Sequence, residues 1–168
     1  LGAHPVGLAL RVASESSAGR PVSLSAVLAD TDTRHEHGTI RLTFESGLVA
    51  TINARWQPHA APDWDVQASS ASAVLRAELY PRPTLEHNGV LVSVGSSVHA
   101  ASLSLVDDYG YSAQLKRLWT NIRTGRPVPA TSLLGRQVLD VISAAHWSAG
   151  RRAVDVPLPF RGPRDRTP

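Results

Sequence analysis

The chain has 168 residues, enough for one domain with a substantial core. Its hydrophobic content of 42% includes no long apolar run, so neither a transmembrane helix nor a secretory leader is expected, and the absence of Cys excludes disulfides and thiolate chemistry. The formal charge is +3, yet almost every basic residue is an Arg and these are scattered, the densest run being Arg151-Arg152, then Arg161, Arg164 and Arg166. With aromatics at 5% there are few stacking platforms, so the basicity reads as Arg-rich usage plus a solvated tail. No nucleic-acid or membrane partner is expected, and the chain is expected in the cytoplasm. It contains no Met and opens at Leu1-Gly2-Ala3-His4, which reads as a fragment of a longer polypeptide or a processed one.

In chain order, His4-Pro5 opens a short helix with Val6, Leu8, Ala9, Leu10 and Val12 as its apolar content, Pro5 suiting a first helical turn. Ser14 to Gly19 is a polar loop. Pro21 to Ala29 alternates, with Val22, Leu24, Ala26 and Leu28 on one face, and predicts a strand. Asp30 to Gly38 reads as a charged loop. Thr39 to Glu45 alternates again, Ser46-Gly47 turns, and Leu48 to Trp56 returns with Leu48, Ala50, Ile52 and Ala54 in phase. After a loop to Asp63, strands are predicted over Trp64 to Ser69, Ala73 to Tyr80, Thr84 to His87 and Val90 to Val94, the last two joined by the hairpin dipeptide Asn88-Gly89.

The last third reads as helix, turn, helix, strand. Asp107 or Asp108 can cap a helix whose apolar positions are Tyr111, Leu115, Leu118, Trp119 and Ile122, with Gly125 where a left-handed cap is wanted. Arg126-Pro127-Val128-Pro129 cannot continue it. Thr131 or Ser132 then caps a second helix striped by Leu134, Val138, Val141, Ile142, Ala145 and Ala149 and closed by Gly150; Val154, Val156 and Leu158 alternate as a last strand. Two apolar helix faces need a sheet to cover. The order predicts an α+β fold, an open and mostly antiparallel sheet with helices packed on one face. The other face, if apolar, would suit a second subunit. Residues 1–160 form the expected domain and 161–168 a disordered tail.

Few patterns carry chemistry. His35-Glu36-His37 would put two imidazoles on one side of a strand, but with no third ligand at a recognisable spacing it reads as a solvated loop. Val94-Gly95-Ser96-Ser97 lacks the second Gly of a nucleophile elbow and precedes no helix. Neither a phosphate-binding P-loop nor a Gly-x-Gly-x-x-Gly turn is present. His4 has the more informative place, beside Gly2-Ala3 at a helix start. There the helix dipole disfavours added positive charge and keeps an imidazole neutral and able to exchange protons.

Several strings together carry a resemblance. They are Tyr111, Gln114-Leu115, Trp119, Ile122, Thr124-Gly125-Arg126-Pro127, Ser132, Gly135, Val141-Ile142, Ala144-Ala145, Ser148-Ala149-Gly150 and Val154 to Pro157, with the hairpin Ile40 to Leu48. From Leu1 to about Pro159 the chain resembles the C-terminal domain of the Gfo/Idh/MocA family of NAD(P)-dependent oxidoreductases, which act on sugars, inositols and related polyols. Ser70-Ala71-Ser72-Ala73 departs from the Gly-x-x-Gly turn usual in that family.

The resemblance implies a substrate-binding and oligomerisation domain whose N-terminal Rossmann partner, which would bind NAD or NADP, is missing from this chain. Leu1-Gly2-Ala3-His4 is similar to the end of the family's Asp-x-Gly-x-His motif, making His4 the implied catalytic residue. The motif's Asp would fall one residue before Leu1, and the assisting Lys of a Glu-Lys-Pro motif is also missing, since the single lysine, Lys116, lies in the penultimate helix. Trp64 and Asp65 match a strand start that lines the substrate pocket, and Tyr111 an aromatic position near its mouth. The implied partners are a small polyol or sugar and further copies of the chain, paired through the open sheet face. Alone, the chain is expected to be inactive and to bind no dinucleotide tightly. Two other readings stand beside this one: a non-catalytic dimerisation or interaction module, and a carbohydrate-binding domain suggested by Trp56 and Trp64.

Overall fold

The computed structural model describes residues 3–31, 34–55, 63–80, 84–94, 111–128 and 131–163. Helix α1 spans Ala3–Glu15 and is followed by strands β1 (Pro21–Thr31), β2 (Arg34–Phe44), β3 (Val49–Arg55), β4 (Asp63–Ser69), β5 (Val74–Tyr80), β6 (Thr84–His87) and β7 (Val90–Val94). Helices α2 (Tyr111–Thr124) and α3 (Ser132–Ala149) and the two-residue β8 (Val156–Pro157) complete the order. The strands form one eight-stranded sheet in the order β7-β6-β5-β4-β3-β2-β1-β8. Every neighbouring pair is antiparallel, as short turns between consecutive strands require.

Local chemistry explains most of these elements. Asn88 and Gly89 both take positive φ (51° and 77°), the backbone a tight hairpin between twisted strands needs. Gly125 has φ 66°, and the Arg126 amide donates to Asn121 O at 3.0 Å, closing α2 with a left-handed cap. Thr131, rather than Ser132, caps α3: its hydroxyl accepts from the Leu134 amide at 3.2 Å. Gly150 ends α3 but stays right-handed; the left-handed residues are Arg152 and Ala153, each with φ 61°.

Three expectations change. The charged segment Asp30 to Gly38 is not a loop where it is described: β1 reaches Thr31 and β2 starts at Arg34, as one long antiparallel pair with Ala29 opposite His37 and Gly38 opposite Leu28. Backbone pairing there outweighs the polar composition. The final strand shrinks to Val156–Pro157, since the left-handed turn at Arg152 and Ala153 leaves Val154 exposed. Most consequentially, among the described residues only two helices cover the sheet. α3 lies on β1 and β8, and α1 lies on β3, β4 and α3. The predicted apolar stripe of α2 packs on neither: Leu115, Leu118, Trp119 and Ile122 are all exposed. The proposed helix caps Asp107 and Asp108 lie outside the described residues.

The core is the layer between β1–β4 and the two covering helices. Leu24, Ala26, Ile40, Leu42, Phe44, Ala50, Ile52 and Val66 point inward from the strands, against Val6, Ala9, Leu10 and Ala13 of α1 and Val138, Val141, Ala144 and Ala145 of α3. Alternation along the strands puts the buried set on one face. Ala144 and Ala145 are fully buried, and their small size lets α3 approach the sheet closely. One turn later, Ser148, also fully buried, accepts from the Ala26 amide at 3.0 Å and donates to Val154 O at 2.7 Å. β8 pairs only with Ser23 and Leu24, so Ser148 takes over at the strand position where β8 stops. Phe160 closes the end of the core, edge-on to Trp147 at 6.3 Å.

Ser148→Ala removes the shared partner of two buried backbone groups, so a loss of about 1–3 kcal/mol is expected, against a change within about 0.5 kcal/mol for the exposed Ser72→Ala. Urea denaturation of both variants checks this. At the other end of β1, the Arg20 amide donates to Glu45 at 3.0 Å and its guanidinium to the other carboxylate oxygen at 3.3 Å. The hydrogen bond from the Arg20 amide is the main reason the Glu45 carboxyl lies below the usual carboxylate range; desolvation opposes it, and the guanidinium charge and hydrogen bond add smaller lowering contributions. A lowered folded value means a stabilising increment that is present above the ordinary carboxylate range and fades as pH falls through the folded value. The Glu45 titration by NMR should therefore have its midpoint below 4.5, moving up on Arg20→Ala.

Candidate functional site

His4 is the second residue of α1, in its first turn, and its side chain is exposed while Pro5 and Val6 beside it are buried. Packing of Val6, Ala9, Leu10 and Ala13 therefore fixes the helix axis, and the imidazole stands free at the positive end of it. Among the described residues no carboxylate or lysine is recorded bonding to it.

Asp65 lies elsewhere. It alternates with the buried Val66, so it belongs to the sheet face opposite α1 and α3. There it accepts from Asn53 Nδ2 at 3.3 Å and from Arg76 Nε at 3.4 Å, while Asn53 Oδ1 accepts from the Thr39 hydroxyl at 2.9 Å. Thr39, Asn53, Asp65 and Arg76 make a polar ladder across β2 to β5. The structure does not bring Asp65 to His4; the sheet separates them. Trp64 pairs through its backbone with Ala54 of β3 and Tyr80 of β5, and Tyr111 is the first residue of α2.

Among the described residues the central rows of the open face are polar rather than apolar. Ser25, Arg41, Thr51, Gln67, Arg76 and Glu86 run across it in one row, flanked by the Thr39 ladder. Within the sheet, apolar exposure is greatest at the β6–β7 edge, where Val90, Leu91 and Val92 are open to solvent. His35-Glu36-His37 sits in β2, with His37 exposed, and no group of three or more potential metal ligands occurs among the described residues.

Clefts of two sizes lie among the described residues. The larger, about 850 Å³, lies between α1, α2 and the start of α3; the smaller, about 340 Å³, lies where the β1 and β8 ends meet α3. His4 lines neither. The residues of the larger cleft escaped the sequence reading because their Lys and Arg looked like part of a general Arg excess; the signal available was the absence of any acid over the same stretch.

No family model matches the sequence, and neither does any curated protein. Solved structures do. GenD2 from gentamicin A biosynthesis, in complex with NAD, superposes with a TM-score of 0.65 at 15% identity over 94% of this chain and 46% of its own. UDP-N-acetylglucosamine 3-dehydrogenase GnnA from Acidithiobacillus ferrooxidans gives 0.58 at 18% identity over 85% of this chain and 46% of its own. An inositol dehydrogenase homologue from Azotobacter vinelandii, complexed with NADH and myo-inositol, gives 0.57 at 14% identity over 94% and 48%. The fold is that of the Gfo/Idh/MocA C-terminal domain. The chain spans about half the length of the structures it matches, and the resemblance read from Leu1 to about Pro159 holds at the level of the fold. No helix among the described residues is long and apolar enough to cross a membrane.

The polar ladder gives a local test. Asp65→Ala should unpair Asn53 and Arg76, yet all three are at least partly open to water. The expected stability loss is about 1 kcal/mol or less by urea denaturation, with no further loss when Arg76→Ala is added.

Proposed function

We propose that the chain is the substrate-side part of an NAD(P)-dependent oxidoreductase that moves a hydride between nicotinamide and a secondary alcohol of a sugar, inositol or related polyol. The observation that carries this reading is the combination of a Gfo/Idh/MocA C-terminal fold with an exposed His at the start of the helix that opens it. Oxidising a secondary alcohol removes the hydroxyl proton as well as the hydride. A neutral imidazole nitrogen at His4 can accept that proton, and the imidazolium can return it in the reverse direction.

The described residues do not fit a dinucleotide. No glycine-rich turn joins a strand to a helix N-terminus, and the three helices begin at Ala3, Tyr111 and Ser132 without the close backbone approach such a turn gives. The cofactor would be held by a Rossmann domain outside this chain, and His4 would work beside an Asp and a Lys supplied from there. Residues 1–160 serve as the folded unit, supported by the burial of Phe160 at its end. Of the other positions implied by the resemblance, Trp64 and Tyr111 remain proposed pocket residues. Asp65, across the sheet, is better placed for the open face. We assign that face to pairing between copies in the cytoplasm. Its polar rows favour a hydrated contact built on hydrogen bonds and charge pairs, so it should weaken with salt.

With the chain joined behind a dinucleotide-binding domain, His4→Ala should lower kcat by about 10²–10⁴-fold while leaving cofactor affinity nearly unchanged, as steady-state kinetics and dinucleotide titration would show. Near-wild-type turnover would remove His4 from the mechanism. Micromolar NAD(P) binding by this chain alone, in a calorimetric titration, would contradict the assignment of the cofactor to another domain.

A further inference from the structure

Residues 111–139 contain Lys116, Arg117, Arg123, Arg126 and Arg136 and no Asp or Glu, in a chain that has 14 acidic residues. Folding gathers three of these cations, with Arg11 of α1, around the larger cleft. Arg11 is paired with Glu15 one turn on, but Lys116, Arg117 and Arg126 have no carboxylate partner among the described residues. The volume of about 850 Å³ is within the range of small-molecule sites. Its remaining wall supplies hydrogen-bonding groups from Ser14 and Thr120 and an apolar floor from Leu10 and Leu134. The first turn of α3, capped by Thr131, opens on the same space and adds the positive end of a helix.

We propose that this cleft is a binding site for the phosphoryl group of a phosphorylated sugar or nucleotide-linked sugar. Guanidinium forks match phosphate oxygens two at a time, and an ammonium beside them adds a point charge. Three unpaired cations facing one hollow repel one another when it is empty, and a bound anion relieves that repulsion. The chain lacks the glycine-rich turn of a dinucleotide site, so the arrangement is suited to a ligand held by side chains.

The position of the cleft gives the site a second consequence, which rests on the proposed role of His4. His4 and Arg11 are seven residues apart on α1, two turns, so they share one helix face with their Cα atoms about 10 Å apart along the axis. A phosphate anchored at Arg11, Lys116 and Arg126 would leave the sugar extending along that face toward His4.

The test is a calorimetric titration of the chain with inorganic phosphate, pyrophosphate, a hexose phosphate and UDP at low and physiological salt. Pyrophosphate should bind and weaken with salt. Lys116→Ala and Arg126→Ala should each weaken it about tenfold or more, while Arg41→Ser, a cation on the open sheet face, should leave it unchanged. Circular dichroism confirms folding of each variant, and since all three side chains are exposed no loss is expected. UDP binding more tightly than the hexose phosphate assigns the site to a nucleotide-linked ligand, and the reverse order to a sugar phosphate. His4→Ala should bind pyrophosphate as wild type does, so failure of the proton-transfer reading would not disturb this result. Absence of binding at millimolar pyrophosphate, or equal weakening by Arg41→Ser, overturns the proposal.

Discussion

A single buried hydroxyl, that of Ser148, ties the covering helix to the sheet edge and to the chain that follows. It satisfies the Ala26 amide beyond the end of β8 and the Val154 carbonyl at the turn leading into β8. An unpaired buried amide or carbonyl costs more than a typical hydrogen bond gains, so the position is constrained from both sides. The contact is possible because Ala144 and Ala145, one turn earlier, bring α3 close to the strands. Once α3 is seated, α1 can lie against it and over β3 and β4, and the angle at which His4 leaves the surface follows. His4, the residue proposed for proton transfer, is therefore placed by packing at the other end of the sequence.

Among the described residues the sheet is wider than its cover. α1 and α3 shield β1 to β4, while β5 to β7 extend past them with Leu75, Leu85 and Val90, Leu91 and Val92 of β7 exposed. α2 also stands apart from the core, fastened at its C-terminal end by Asn121 Nδ2 donating to Pro127 O at 2.9 Å. That bond holds the turn carrying Arg126 to the helix carrying Lys116 and Arg117. It thereby shapes one wall of the basic cleft without burying the helix's apolar stripe. Helix, turn and cleft form one unit loosely attached to a well-packed one.

Much of this was legible in the sequence where local chemistry and periodicity agree. Asn88-Gly89, Gly125 and a cap at Thr131 or Ser132 announce themselves, and alternation from Thr39 to Ala54 gives the central strands with the right residues inward. Where tertiary context decides, the reading failed. Asp30 to Gly38 is polar enough for a loop, and pairing across a long hairpin extends it as strand. The α2 stripe has helical spacing, but spacing says that a face is apolar and not what lies against it. Alternation likewise fixes which residues share the open face without showing that Asp65 and His4 end up on opposite sides. The basic cleft was hidden because its cations come from α1, α2 and the turn between α2 and α3, each unremarkable in a chain rich in Arg.

If Ser148 and the small residues before it hold the folded unit together while α2 is appended to it, stability must be unevenly distributed. Native-state amide hydrogen exchange reads that distribution residue by residue. The Ala26 amide and the buried face of α3 should exchange only through global unfolding, with opening free energies equal to that from denaturant melting. The amides of α2 beyond its first turn should exchange through a local opening several kcal/mol cheaper, as expected for a helix that buries little apolar surface. Protection in α2 equal to that in α3 would contradict the account.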